Sequence, residues 1–152
     1  YFSDKLLNLG TNRWSFKPEL AYSYPIRKNW LFDVYAGLWL FTPNKQFFTG
    51  KSVRTQQPMG AFQAHLSYNI NPKMWLAFDA TYYTGGKSTV DNFINDDRHD
   101  NTRIGVTFVF PVMKRSFIKL AASTGAVVRV GENFNTISIG WQTILIKEKK
   151  AL

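Results

Sequence analysis

The chain has 152 residues, with 19 Lys and Arg against 10 Asp and Glu for a formal charge of +9, and it is 45% apolar and 16% aromatic. Those figures fit one domain and exclude an acidic disordered tail or a collagen-like or low-complexity chain. The absence of cysteine removes disulfides, Cys-ligated zinc and thiol catalysis together. The first residues, Tyr1-Phe2-Ser3-Asp4, contain neither Met nor a cationic–apolar leader, as expected of a processed chain or a fragment. No run of about 18 uninterrupted apolar residues exists to form a transmembrane helix. A mean hydropathy of −0.23 points toward a soluble protein. The patterning points elsewhere.

Residues 1–12 read as the end of an extracellular loop, and from residue 13 the dominant period is two. Trp14, Phe16, Pro18, Leu20, Tyr22 and Tyr24 alternate with Ser15, Lys17, Glu19, Ala21 and Ser23. Strand side chains point to opposite faces in turn, so one face is apolar and the other carries the charges. The same alternation runs from Trp30 to Leu40, with Asp33 on the second face, and from Gly60 to Tyr68, with His65 there. It continues from Met74 to Tyr82, around Asp79, and from Thr102 to Phe110, around Arg103. Two further segments, Ile118–Val128 with Lys119 and Arg129, and Ile137–Leu145, complete seven predicted strands with no helical signal.

Two features separate a membrane sheet from a soluble one. The predicted strands run nine to twelve residues, the length a tilted spanning strand needs, whereas ordinary strands average about five or six. The 38 residues on the apolar face include no Asp, Glu, Lys or Arg, where the overall 19% charged content would place about seven. A charge on that face at mid-bilayer costs about 2–4 kcal/mol for Arg or Lys, enough to keep it clean. The second face mixes Gly, Ala, Ser and Thr with singly spaced charges, which suits the interior of a closed barrel better than the outside of a sandwich. Trp14, Tyr22, Tyr24, Trp30, Tyr68, Tyr82 and Trp141 are expected to be lipid-interface aromatics.

Short connections at 25–29, 69–73 and 112–116 alternate with long ones at 42–57 and 84–101, and residues 131–135 form a brief one. Short periplasmic turns and long extracellular loops are the rule in outer-membrane barrels, so residues 147–152 become a basic periplasmic tail. Seven strands is odd, and bacterial barrels of this type have even numbers. The sequence is therefore expected to be the C-terminal part of a larger, even-stranded antiparallel transmembrane β-barrel, with residues 13–146 as its seven spanning strands. The inward face nets +2, the outer loops balance, and the periplasmic turns and tail net +7. The basic charge thus forms a rim, and no nucleic-acid partner is expected.

Lumen-lining residues are expected at Lys17, Glu19, Asp33, His65, Asp79, Arg103, Lys119 and Arg129, where charges would set the selectivity of a conduit or pair into a plug. Asp33 is placed to approach Lys17 or Glu19. Pro18 removes a ladder hydrogen bond, so a local bulge is expected there. His65 and Ser67 stand two residues apart on one face, about 6.5–7 Å by the strand rise, too far for a catalytic pair. Asp96, Asp97, His99 and Asp100 lack the ordered spacing of a calcium loop, and Gly85-Gly86 reads as a strand end. No catalytic residue, metal or cofactor is expected.

The segments NRWSFKPELAYSY, GLWLFTPN, WLAFDATYYTGG, NTRIGVTFVFPV and SFIKLAASTGAVVRVGENFNTISIGWQT, with Gln56-Gln57-Pro58 and Gln63-Ala64-His65-Leu66-Ser67-Tyr68, resemble the MetA-pathway of phenol degradation family. The likeness runs in consistent order from about Gly10 to Thr143. It implies a Gram-negative outer-membrane barrel that transports small, aromatic or hydrophobic molecules without enzymatic activity. Lipid, lipopolysaccharide, the barrel-insertion machinery, a small aromatic solute and an unidentified envelope component are the implied partners. Such barrels end on an aromatic residue, whereas here Trp141 is followed by residues 142–145 and the basic tail. Two other readings stay open: a non-conducting structural barrel anchoring an envelope assembly, and a soluble β-sheet lipid-binding protein.

Overall fold

The computed structural model describes residues 2, 5, 8–48 and 51–145. Among them are twelve strands and no helix: β1 (Ser15–Phe16), β2 (Glu19–Arg27), β3 (Trp30–Phe41), β4 (Asn44–Phe47), β5 (Ser52–Gln56), β6 (Met59–Asn71), β7 (Met74–Gly85), β8 (Ser88–Val90), β9 (Phe93–Ile94), β10 (His99–Met113), β11 (Ser116–Val127) and β12 (Thr136–Thr143). One large antiparallel sheet runs β3–β6–β7–β10–β11–β12, with β1 and β2 both pairing the outer edge of β3. The long strands are joined by tight turns or by excursions beyond the sheet, so each pairs with its neighbour in sequence.

Register sets which residues share a face. Ser23, Asp33, His65, Asp79, Gly105, Ser123 and Thr136 stand opposite one another in a row across the sheet. The neighbouring outward row runs Tyr22, Val34, Ala64, Ala80, Ile104 and Thr124. The inward side is the packed one: Ala61, Ala77 and Val109 are buried, and Thr107 with them. On the other side Leu20 is 80% exposed, Phe78 56% and Ile139 74%, so the large apolar residues turn away from the protein's own core. This inversion is what lipid as the outer solvent selects.

Pro18 behaves differently from the expected bulge. Phe16 opposes Leu40 and Glu19 opposes Gly37, so one register runs through the proline without an inserted residue. The Pro18 carbonyl still accepts from the Leu38 amide at 3.1 Å, so only the proline's missing donor interrupts the ladder and divides β1 from β2. One register shift of the large sheet falls between Thr102 and Arg103, toward the outer end of β10, and three fall beside the tight turns, between Pro25 and Arg27, Asn69 and Asn71, and Pro111 and Met113. Each of these three leaves one outward apolar residue, Ile26, Ile70 or Val112, at the rim. Arg27, Lys28, Lys73, Lys114 and Arg115 stand in or beside those turns, while residues 147–150 lie outside the described residues.

The long connections also depart from expectation, because much of 42–57 and 84–101 is ordered as a second antiparallel sheet, β4–β5–β8–β9. Met59–Gly85 and Gln56–Ser88 belong to a single ladder, so the β6–β7 hairpin continues past the rim in unchanged register. Gly85 and Gly86, at φ +95° and +72°, supply the bend between the two parts. A Cβ on Gly85 would lie 2.8 Å from the Pro58 carbonyl oxygen. Asp91 and Asn92, at φ +45° and +69°, form the two-residue turn between β8 and β9. The Asp91 carboxylate accepts from the Val53 amide at 2.8 Å and so clasps this turn to β5.

If the outward row lies in hydrocarbon, Ala80→Arg, near the middle of β7, is expected to destabilise the folded full-length protein in vesicles by about 2–4 kcal/mol. Thr81→Arg, one residue along on the inward side, is expected to cost far less. Denaturant titration of both variants checks this.

Candidate functional site: the inward wall and its outer mouth

The inward face carries a polar row at mid-strand. The Ser23 hydroxyl donates to Asp33, which faces His65 across the β3–β6 ladder. His65 Nδ1 lies 2.5 Å from Asp79 Oδ1, and the Thr107 hydroxyl donates to Asp79 Oδ2 at 2.7 Å. A carboxylate only accepts, so the short contact places the imidazole proton on Nδ1. The Tyr35 ring meets the His65 ring edge-on at 5.5 Å between centroids. Leaving one of these groups without its partner in a partly buried setting would cost about 1–3 kcal/mol, which holds the row in place. Ser67 opposes Leu31 and Ala77 instead, one step down the wall from His65.

The other expected lumen residues occupy different levels. Lys17 and Glu19 form an ion pair with each other, and the Lys17 ammonium lies 5.8 Å from the Trp39 ring centre. Asp33 does not approach them. Glu19 opposes Gly37 while Asp33 opposes Ser23, four residues along the strand, or about 13 Å by the strand rise. Arg103 donates to the Phe134 carbonyl at 3.0 Å and to Ser123 at 3.2 Å, with its guanidinium 4.1 Å from the Phe134 ring centre. Lys119 opposes Val109 and Gly140 and has no ion pair among the described residues. Arg129 stands beyond the end of β11, where it binds Asp96 at 2.6 Å and the Arg98 carbonyl at 2.5 Å. That places it at the rim with the outer loops. A hollow of about 300 Å³ opens on the inward face between Asp79, Thr81, Arg103 and Ser138, over the small residues Gly105 and Ser123.

The outer mouth holds a second cluster, which alternation did not reveal. Arg13 donates to the Gln56 side chain at 2.5 Å, and Gln56 donates to the Gly86 carbonyl at 2.8 Å, joining the start of the wall to β5. Arg13 stacks 4.3 Å from the Phe41 ring centre and Arg54 5.2 Å from that of Phe47. Burial, then the Arg54 charge beside it, lowers the Arg13 guanidinium below its ordinary value. Asp97 receives the Ser88 amide at 2.7 Å and the Ser88 hydroxyl at 2.5 Å, and it lies 3.7 Å from Arg54. Burial disfavours its charge, yet those donors and Arg54 outweigh burial and leave Asp97 below its ordinary value. The four loop residues expected not to form a calcium site have separate tasks: Asp96 holds Arg129, Asp97 holds Ser88, Asp100 accepts from Thr84 at 2.8 Å, and His99 opposes Gly85. No group of three or more metal-ligating side chains occurs among the described residues.

Of the expected interface aromatics, Trp30 and Tyr68 pair at 4.9 Å beside the tight turns, and Trp141 is outward near the same end. Trp14 and Tyr82 stand toward the other end, Tyr82 against Phe62 at 6.4 Å, while Tyr22 and Tyr24 lie along β2.

Long antiparallel strands, a charge-free outward face and a polar inward wall define one side of an outer-membrane β-barrel. The fold matches the crystal structure of the COG4313 outer membrane channel from Pseudomonas putida F1 with a TM-score of 0.83 at 24% identity. The match covers 91% of this chain and 52% of that one, so the chain spans about half the length of that channel. The chain belongs to the family described as "Putative MetA-pathway of phenol degradation", whose model matches residues 1–139. No curated protein matches it.

A lowered carboxylate stabilises the fold above its unfolded-state value, and that stabilisation disappears as pH falls through the folded value. The β8–β9 turn is therefore expected to keep its order down through pH about 4, the ordinary Asp range, and to loosen only below it. Asp97→Asn is expected to loosen the turn already at pH 7. Hydrogen exchange at the Ser88 amide, corrected for the intrinsic pH dependence of exchange, checks both.

Proposed function

We propose that this sheet is one wall of a passive outer-membrane channel for small, aromatic or hydrophobic molecules, and that it performs no catalysis. The observation that carries the reading is the division of charge between the faces. The 38 outward positions bear none, whereas Asp33, His65, Asp79, Arg103 and Lys119 stand on the inward wall. Polar residues at mid-bilayer depth are tolerated where they line water or protein, which a conduit provides. The free edges of β1–β2 and β12 must also be paired, because unpaired backbone groups are not viable in lipid. In this reading further strands close the barrel, lipid and lipopolysaccharide surround it, and the insertion machinery places it.

A plugged, structural barrel is the second reading, supported by the Lys17–Glu19 and Arg129–Asp96 pairs, which tie up four of the mobile charges. Conductance of the full-length protein in a planar bilayer separates the two. Discrete conductance steps are the expected result. Silence from a folded, inserted barrel would contradict the conduit and favour the plug.

A further inference from the structure

The outer mouth contains a cavity of about 200 Å³, below the range of drug-sized pockets, lined by Lys5, Thr11, Arg13, Arg54, Phe47 and Phe48 among others. Its cations are incompletely satisfied. Arg13 uses one terminal nitrogen on Gln56, but its Nε and Nη1 are buried without a hydrogen-bond partner among the described residues, and so is Nε of Arg54. Arg54 has a nearby carboxylate in Asp97, but at 3.7 Å from its Nη2 it is an ion-pair partner beyond hydrogen-bond distance. Buried donors in native structures are nearly always paired, and two neighbouring guanidinium groups repel each other without an anion between them.

We propose that this cavity is a binding site for a small aromatic carboxylate at the channel's outer mouth. The guanidinium groups of Arg13 and Arg54 that line the cavity take the carboxylate, whose two oxygens match the fork of donors on a guanidinium. Lys5 adds a third positive charge. Phe47 and Phe48 provide apolar walls, so the site accepts a single ring where a bare inorganic anion leaves those walls unused. The faces of both guanidinium groups are covered, by Phe41 and Phe47, which leaves their edges for the ligand. This deepens the channel reading by naming the solute class met first from outside, and it rests on that reading for the solute's passage but not for its binding.

The test is calorimetry on the full-length protein in detergent, with benzoate as the probe. Phenol supplies the ring without the charge, and inorganic phosphate the charge without the ring. Benzoate is expected to bind at least tenfold more tightly than either. Arg54→Gln and Arg13→Gln are each expected to weaken it tenfold or more, and Phe48→Ala to weaken benzoate without changing phosphate. Should Arg13→Gln fail to fold, Arg13→Lys keeps the charge but loses the fork, and it is expected to weaken benzoate severalfold. Absence of benzoate binding, benzoate binding unchanged in Arg54→Gln, or phosphate binding as tight as benzoate would each overturn the proposal. Conductance on the same preparation keeps the readings apart. Benzoate binding through Arg54 by a silent barrel would support the site and sink the conduit, whereas conduction without benzoate binding would sink the site alone.

Discussion

A backbone crossing hydrocarbon must satisfy every amide and carbonyl within the protein, and from that constraint the rest of this structure follows. Strands meet it only by pairing along their whole length, which sets long, regular ladders between sequential neighbours. Each strand then has one face in lipid and one facing its own barrel, so the sequence must alternate strictly. The aliphatic and aromatic residues that would form a core in a soluble protein stand exposed on the outward face, as Leu20, Phe78 and Ile139 do. The side buried by the protein itself is built of small residues such as Ala61 and Ala77, with polar groups among them.

That arrangement makes the charged groups informative. A carboxylate in the middle of a strand has few places to go, and the register gives Asp79 two partners, His65 from β6 and Thr107 from β10. Gly105 and Ser123, at the same level, leave room above the sheet instead of filling it. Arg103, held against Phe134 and Ser123, lines that room from the outer side. The wall is therefore rigid where its charges pair and hollow where its residues are small. Both features suit a surface past which solutes move.

The strands and their faces were legible in the sequence, because a period of two with a clean outward face leaves a strong signature. The His65–Asp79 contact was less so: both residues were placed inward, but only register brings them opposite each other. Pro18 misled, since a missing donor does not demand a bulge when the edge ladder keeps its phase on either side. The outer sheet was missed because its strands are short and polar, although Asp91-Asn92 between Val90 and Phe93 was a readable turn signal. Arg54 lay in an expected loop, and Arg13, at the first residue of the expected barrel, carried no signal of its own. Their meeting depends on the bend at Gly85-Gly86, which brings β5 back over the start of the wall.

The central claim is that alternate residues of one strand face water and lipid. Single cysteines can be placed at successive positions from 76 to 83 on β7 in an otherwise cysteine-free variant of the full-length protein. Labelling in outer-membrane vesicles with a water-soluble, membrane-impermeant maleimide would then read each face directly. Labelling is expected at positions 79, 81 and 83, which replace Asp79, Thr81 and Tyr83, and protection at positions 76, 78, 80 and 82; position 77, where Ala77 is buried by the protein, serves as the packed control. Equal labelling of both sets, or labelling of the even positions alone, would contradict the claim.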